Sequence, residues 1–465
     1  MAILRAAGNN PASMTTPRNA VDLTRRDFIR GSSVASLMGM LGAVELRAET
    51  PKEGERKPAG GPKVKLGVIG LGPRGRDVLS ALLLQPDAEL VVLCDHYDKS
   101  LNRSAGNVPG AKTTADYKTI LADKEIKAVI IATPSHQHKE IALAALEAGK
   151  HVYCEAPLAS TIEDTKIMAA AARAAVGQVF QPGLAMRADP QRHFLMQFVR
   201  SGATGHPVLA RAQWHKKQSW RQTSPNAERE KEINWRLDKK LSTGLAGEIG
   251  IHQMDMMSWL LKAKPTAVTA FGGVLHWTDG REVADTAQFV FEYPGGAQAL
   301  YDVTLANSFD GDYEMLYGTD AAVMLRGTKA WMFKEVDSPL LGWEVYARKD
   351  VFYKETGIAL VANATKLSPA AENAEEAPYS NAALALALEA FINNVNEIST
   401  AVEDAKDTFG TNDKKKLAKH LATVKTMSAP TWKEGLEAAV VAFKANEALV
   451  SGKRVTYEKE WFELA

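Results

Sequence analysis

Cysteine is nearly absent from this chain: Cys94 and Cys154 are the two among 465 residues. Two thiols without a local metal spacing exclude a disulfide framework and leave buried free cysteines as the reading. An excess of either charge is missing too. Lys and Arg number 56 against 55 Asp and Glu, a net charge of +1, so nothing points to nucleic acid or another polyanion as a partner. No tract reads as transmembrane and no internal repeat is present. What remains, 46% hydrophobic and 24% charged, can bury a large core and suits two domains.

Against those absences stands one dense motif, Gly70-Leu71-Gly72-Pro73-Arg74-Gly75. An apolar strand pattern, Val64 to Ile69, precedes it. A helical pattern, Asp77 to Leu84, follows, and a second apolar strand, Leu90 to Leu93, runs into Cys94-Asp95. Strand, glycine turn, helix, strand and acid, with Gly75 and Asp95 20 residues apart, is the dinucleotide-binding arrangement. Gly70 makes the tight turn, Gly72 lets backbone N–H groups approach a pyrophosphate, and Gly75 lets helix and strand pack closely. The helix N-terminus, opened by Pro73 and Arg74, turns its partial positive charge toward the phosphates. A carboxylate at Asp95 accepts from both ribose hydroxyls of NAD and repels a 2′-phosphate, favouring NAD and leaving NADP open.

The first 48 residues read as a twin-arginine signal segment rather than as fold. Thr24-Arg25-Arg26-Asp27-Phe28 is followed by a weakly apolar run, Gly31 to Val44, and a cleavage point after Ala48. Residues 49–62 form a polar linker. Such a signal implies a periplasmic or otherwise exported protein that crosses the membrane folded. No NAD pool exists outside to exchange with, so the nucleotide stays bound and each cycle restores its redox state.

Strands and helices alternate from Val64 to about Gln181. Lys127–Ala132 reads as a buried strand, Glu140–Ala148 as a helix closed by Gly149, and His151–Cys154 as the next strand. Ile162–Val176 reads as a helix and Gln178–Phe180 as a strand. The pattern predicts an α/β fold, a Rossmann doubly wound parallel sheet over residues 63–188. Ligands sit beyond the carboxyl ends of such strands, so Thr133 to His138 and Glu155 to Pro157 should border the nicotinamide. Residues 189–465 read as an α+β domain. Alternation at Val208–Trp214, Thr266–Phe271, Thr286–Tyr293 and Ala297–Leu305, then a hairpin at Met315–Tyr317 and Ala322–Leu325, predicts a mostly antiparallel open sheet. Ala383 to Leu449 is Ala-rich and helical in pattern.

Two further segments, Thr133-Pro134-Ser135-His136-Gln137-His138 and Gly149-Lys150-His151-Val152-Tyr153-Cys154-Glu155-Ala156-Pro157, closely resemble those of the glucose–fructose oxidoreductase/inositol dehydrogenase/MocA (Gfo/Idh/MocA) family. The resemblance runs through Arg187, Asn234-Trp235-Arg236 and Gly244 to Asp255, spanning roughly residues 64 to 330. It implies a Rossmann domain plus a substrate sheet domain and NAD(P)-linked chemistry on sugars or cyclitols, with relatives often pairing as homo-oligomers through the exposed sheet face. It also implies that Thr133, Pro134, His138, Glu155 and Pro157 border the cofactor, whereas His136 reads as a loop histidine with no assigned role. Glu248 and His252 are spaced i, i+4, on one face of a helix, and Asp255 follows where it could orient the imidazole. By resemblance His252 is the acid/base that takes a carbinol proton as hydride leaves, with Glu248 supporting it. No further ligand at a recognised spacing makes a metal of Glu248, His252 and Asp255.

The family lysine of Glu-Lys-Pro is Ala156 here. Three explanations stand: His252 and Glu248 suffice; another cation, Arg187, Lys216, Lys217 or Arg236, substitutes; or the chain performs a different chemistry. Trp235 and Arg236, with Arg187 and Lys216, offer the aromatic faces and donors that suit a sugar ring. The expectation is therefore an exported NAD(P)-dependent oxidoreductase acting on a sugar or glycoside with a retained cofactor. A redox-neutral NAD-dependent glycosidase is the first alternative, and a non-catalytic sugar-binding protein the second.

Overall fold

The computed structural model describes residues 62–340 except 225 and 328, then 349–352, 355–359 and 381–464 except 411 and 412. The twin-arginine segment, and the linker up to residue 61, lie outside the described residues.

The first sheet is a consequence of strands with no polar face. In β4, Ala128–Ile131, every residue is buried, and β5, His151–Cys154, is the same. Such strands are stable only when both faces are covered. β1 (Val64–Ile69), β2 (Ala88–Cys94), β3 (Lys112–Thr114) and β6 (Phe180–Pro182) complete a sheet ordered β3-β2-β1-β4-β5-β6. All its pairings are parallel. One face meets α1 (Pro73–Leu82) through Leu66, Val68, Val78 and Leu82, and the other meets α4 (His138–Glu147) and α5 (Ile162–Ala174) through Val129, Ile131, Ala142 and Met168. Between β2 and β4 lie the short helices α2 (Asp98–Ala105) and α3 (Tyr117–Ala122). The strand order reverses at β1 and β4, which opens the crevice where dinucleotides bind.

After α6 (Pro190–Phe198), β7 (Pro207–His215) opens the second sheet. It continues through α7 (Ala227–Ile233), α8 (Ile251–Leu261) and the strands β8 (Ala267–Gly273), β9 (Thr286–Glu292), β10 (Gln298–Thr304), β11 (Asp312–Gly318), β12 (Ala321–Arg326) and β13 (Lys329–Lys334). Strands β14 (Lys349–Phe352) and β15 (Glu355–Ala359) pair beyond β13. The pairing is antiparallel save for β7 beside β10. Tyr301, Phe289 and Phe291 alternate inward, while Leu300 on the opposite face is 40% exposed. Burying each large inward side chain contributes about 1.5–3 kcal/mol.

Two boundaries differ from the sequence expectation for physical reasons. α1 begins at Pro73, four residues early, because Gly72 takes the extended N-cap conformation and Pro73 fills the first turn, where its missing N–H costs nothing. The C-terminal helices also divide their packing. Residues of α9 (Asn381–Phe409), from Leu384 to Val395, enter the same core as β1 and α1. The region from Ala383 on is therefore not wholly a part of the second domain. After α10 (Lys414–Leu421), α11 (Trp432–Ser451) lies against α5, α8 and β8, and β16 (Val455–Thr456) closes the sheet edge on β8. Both cysteines are buried free thiols, and burial pushes Cys94 up to about 12.

Candidate active site

The glycine turn requires its glycines. Gly70 has φ +93°, and a Cβ there would lie 2.7 Å from the Ala132 carbonyl carbon and the Thr133 nitrogen. A Cβ on Gly75 would stand 2.0 Å from Gly70 O, so helix and strand can approach only without it. Gly72 faces open space, with nothing within 4 Å of a built Cβ. No side chain caps the start of α1 and no acid sits in its first turn, so the helix N-terminus is left for an anion. Asp95 ties the second strand to this turn: Oδ2 accepts from Leu71 N–H at 2.8 Å and Oδ1 from Tyr97 N–H at 2.8 Å. Thr133, beyond β4 beside Pro134, keeps a buried hydroxyl without a hydrogen-bond partner. An open backbone cradle, an acid at the second strand and an orphan hydroxyl at the switch point fit NAD.

Toward the reacting end, Glu155 at the end of β5 meets Arg74, with Nε 3.0 Å from Oε1. Burial pulls the Arg74 guanidinium down, and Glu155 first, with Tyr153 and Asp77, more than offsets it, leaving the group raised. His138 lies between the two strand-end loops. It is 2% exposed, and its nitrogens lie 2.9 Å from Pro157 O and 2.8 Å from Thr133 O. The imidazole thus ties together the loops at Thr133 and Pro157, the two expected to border the cofactor. Burial pushes it below its ordinary value, and a neutral ring can donate to just one of the two carbonyls at a time.

Glu248 and His252 do not share one regular α-helix as the spacing predicts. Ala246–Gly250 is wound as a π turn, and the α-helix proper begins at Ile251. Gly247 and Gly250 permit this, since added Cβ atoms would meet Thr243 Oγ1 at 2.0 Å and Tyr301 Cε1 at 2.7 Å. π turns recur at functional sites. The Glu248 side chain, 3% exposed, accepts from Thr243 Oγ1 at 2.8 Å and Ser135 Oγ at 3.1 Å, and Arg236 Nε stands 3.7 Å away. Burial, then the positive charge of Arg74, lowers His252 to about 3, so its imidazole is neutral at physiological pH.

Asp255, expected to orient the imidazole, binds an arginine. Its carboxylate receives both arms of Arg187, Nε and Nη2 at 2.8 Å each, and Arg187 also lies 4.7 Å over the Trp259 ring. Burial pushes Asp255 up and the guanidinium pulls it back. The pair braces α8 against the turn after β6, so Arg187, expected at the substrate, and Asp255, expected beside the imidazole, hold each other. Trp235 and Arg236 do join Glu248. Arg236 lies 5.2 Å from the Trp235 ring and 5.9 Å from Trp220, and His136 meets Trp235 edge-on at 5.6 Å. Lys216 is exposed past the end of β7, outside this group. Sequence reasoning did not single out Ser135 and Thr243; their signal was adjacency, one inside the Thr-Pro motif and one just ahead of the Glu248 turn. Among the described residues no His/Cys/Asp/Glu group could hold a metal.

Residues 64–183 match the family described as "Oxidoreductase family, NAD-binding Rossmann fold", and residues 194–332 match the "GFO/IDH/MocA C-terminal domain". The chain belongs to the Gfo/Idh/MocA oxidoreductase family, with an NAD-binding first domain. Levoglucosan dehydrogenase of Pseudarthrobacter phenanthrenivorans is 35% identical over 150 residues, 32% of this chain and 36% of that protein. The 2,7-anhydro-N-acetylneuraminate hydratase of Escherichia coli is 25% identical over 264 residues, 56% of this chain and 67% of that protein. A solved structure, levoglucosan dehydrogenase in complex with NADH, shares the fold with a TM-score of 0.62 at 20% identity, over 85% of this chain and 99% of that one.

Proposed function

We propose that the protein is an exported NAD-dependent oxidoreductase acting on a sugar or glycoside, with its nicotinamide cofactor retained through the cycle. The observation that carries this reading is a half-buried His252 one turn after a Glu248 braced by Thr243 and Ser135, beside an NAD-binding crevice. NAD, when bound, accepts the hydride given up by the carbinol carbon. His252 receives the hydroxyl proton, a task that needs the neutral ring. Glu248, fixed by Ser135 and Thr243, accepts from a neighbouring substrate hydroxyl. Trp235 and Trp220 offer flat apolar faces for the ring, with Arg236 at their edge. A relative named levoglucosan dehydrogenase supports a sugar substrate, and Arg25-Arg26 with the apolar run behind them supports export through the twin-arginine machinery.

Ala156 favours a second reading, a redox-neutral glycosidase. Oxidation of a ring carbon to a ketone acidifies the adjacent C–H, the glycosidic substituent is eliminated, water adds, and the ketone is reduced again. No acceptor is consumed. A relative named as a hydratase is compatible with it.

The test mixes purified protein, without added nucleotide, with free sugars and aryl glycosides while nicotinamide absorbance and released aglycone are followed. Stoichiometric reduced nicotinamide that persists until an acceptor is added is the expected result. Aglycone released over many turnovers without net reduction would replace the proposal by the hydrolase. Silence from NAD-loaded protein across the panel would overturn both. Ala156→Lys sharpens the choice: the oxidoreductase reading predicts faster cofactor reduction, whereas an unchanged or lower rate argues for the other chemistry.

A further inference from the structure

The segment between β7 and the Glu248 turn, residues 216–242, leaves its own sheet and touches the nucleotide domain. Its helix α7 carries Arg229, whose guanidinium lies 4.2 Å over the Tyr97 ring. Arg229 Nη1 also reaches His96 Nε2 at 3.2 Å and Glu232 at 3.1 Å, and Glu232 stands 3.3 Å from the same His96 nitrogen. His96 and Tyr97 directly follow Asp95, and Tyr97 N–H is one of the two donors held by the Asp95 carboxylate. Arg229 Nε is buried and has no hydrogen-bond partner.

The segment is equally well fixed at its root. Asn234 donates to Gln222 O at 2.8 Å and Glu230 O at 2.7 Å, and accepts from Gln222 N–H at 2.8 Å. Arg221 joins Glu230 at 2.5 Å and the Asp279 carbonyl at 2.9 Å. Immediately after Asn234 come Trp235 and Arg236, which meet His136 and Glu248. One short segment is thus anchored to its own domain, to the Glu248 group, and to the loop that follows the ribose-recognising acid.

From this placement we infer that Arg229 is a cofactor-retaining residue, and that α7 clasps the adenosine end of the dinucleotide through Tyr97 and His96. The inference rests on the retained-cofactor reading and gives it a physical cause: a planar cation stacked on an aromatic ring, tied to a histidine and a carboxylate, must separate before the nucleotide leaves.

The test loads the full chain with NADH, dilutes it into excess NAD, and follows the fall in NADH fluorescence. Arg229→Ala should speed release by about tenfold or more, and Arg229→Lys, which keeps charge but loses the planar stack, by less. Nicotinamide mononucleotide, which lacks the adenosine half, should compete equally well against wild type and variant. Release from Arg229→Ala within about twofold of wild type would overturn the clasp while leaving the functional reading intact. Equal weakening of mononucleotide binding would also overturn it, since that marks general damage to the site. Should Arg229→Ala fail to fold, Tyr97→Leu decides by the same release rate. Wild type that binds no NADH would overturn the functional reading and the clasp together.

Discussion

The two ends of the cleft are built on opposite electrostatic plans. At the adenosine end, charges meet charges at the surface: Arg229, Glu232, His96 and Asp95 form a partly exposed cluster, with the His96 side chain 64% and Glu232 50% exposed. At the reacting end, burial dominates and charge is either cancelled or expelled. Asp255 is cancelled by Arg187 in a bidentate pair, and His252 is held neutral. A surface cluster can open, at a cost of up to about 1 kcal/mol for each contact it loses. A buried pair cannot. The cleft thus has an end suited to letting the nucleotide go slowly and an end suited to holding a neutral base in place.

Breaking the buried plan should have the largest effect. Arg187→Met leaves Asp255 as a buried, uncompensated carboxylate and should cost about 3–5 kcal/mol in denaturant unfolding. A loss under about 1 kcal/mol would mean that water reaches Asp255. A smaller, pH-dependent effect comes from His151. Burial, then the charge of Lys127, lowers it to about 4, and its Nδ1 accepts from Val179 N–H at 2.9 Å, which requires the unprotonated nitrogen. Below its unfolded value of about 6.5 the unfolded chain binds a proton that the folded chain refuses until about pH 4. Its stabilisation is therefore present above about pH 6.5 and falls by about 1.4 kcal/mol per pH unit toward 4. A His151→Gln variant should flatten that slope, as read by unfolding across the range.

At the other end, Asp95→Ala should weaken NAD by about tenfold and narrow its advantage over NADP, measured by calorimetric titration of both. Unchanged selectivity would show that Asp95 serves only to brace Leu71 and Tyr97. The finest distinction lies in the pH–rate profile. A base that must be neutral keeps working until the pH drops through its own value. With His252 lowered to about 3, kcat/KM should show no acid limb near the ordinary histidine value of about 6.5. A limb there would mean that the imidazole is better solvated than its burial implies.

What could be read from sequence follows distance along the chain. Gly70 to Asp95 and the neighbouring strands are local patterns with a fixed period, so most of the nucleotide domain was legible, but the short α2, β3 and α3 between β2 and β4 were not. The Glu248/His252 pair was legible as residues but not as backbone: the π turn depends on Gly247 and Gly250 facing Thr243 and Tyr301, and Tyr301 lies on a strand far along the chain. The Arg187 bond to Asp255 was not legible, because the two lie 68 residues apart. The two-carbonyl setting of His138 was hidden for a similar reason, since its second carbonyl belongs to Pro157, beyond another helix and strand. Arg229 carried no signal at all. A charged residue in Ala-Glu-Arg-Glu-Lys-Glu reads as a solvated face, and 133 residues separate it from His96.

The most direct test of the account is a single-turnover trace of His252→Ala loaded with NAD, set beside wild type on a sugar that wild type oxidises. The account predicts that the variant still holds the nucleotide but forms reduced nicotinamide about 100-fold more slowly or worse. Reduction at the wild-type rate would contradict the assignment of His252, and with it the proposed chemistry of the site.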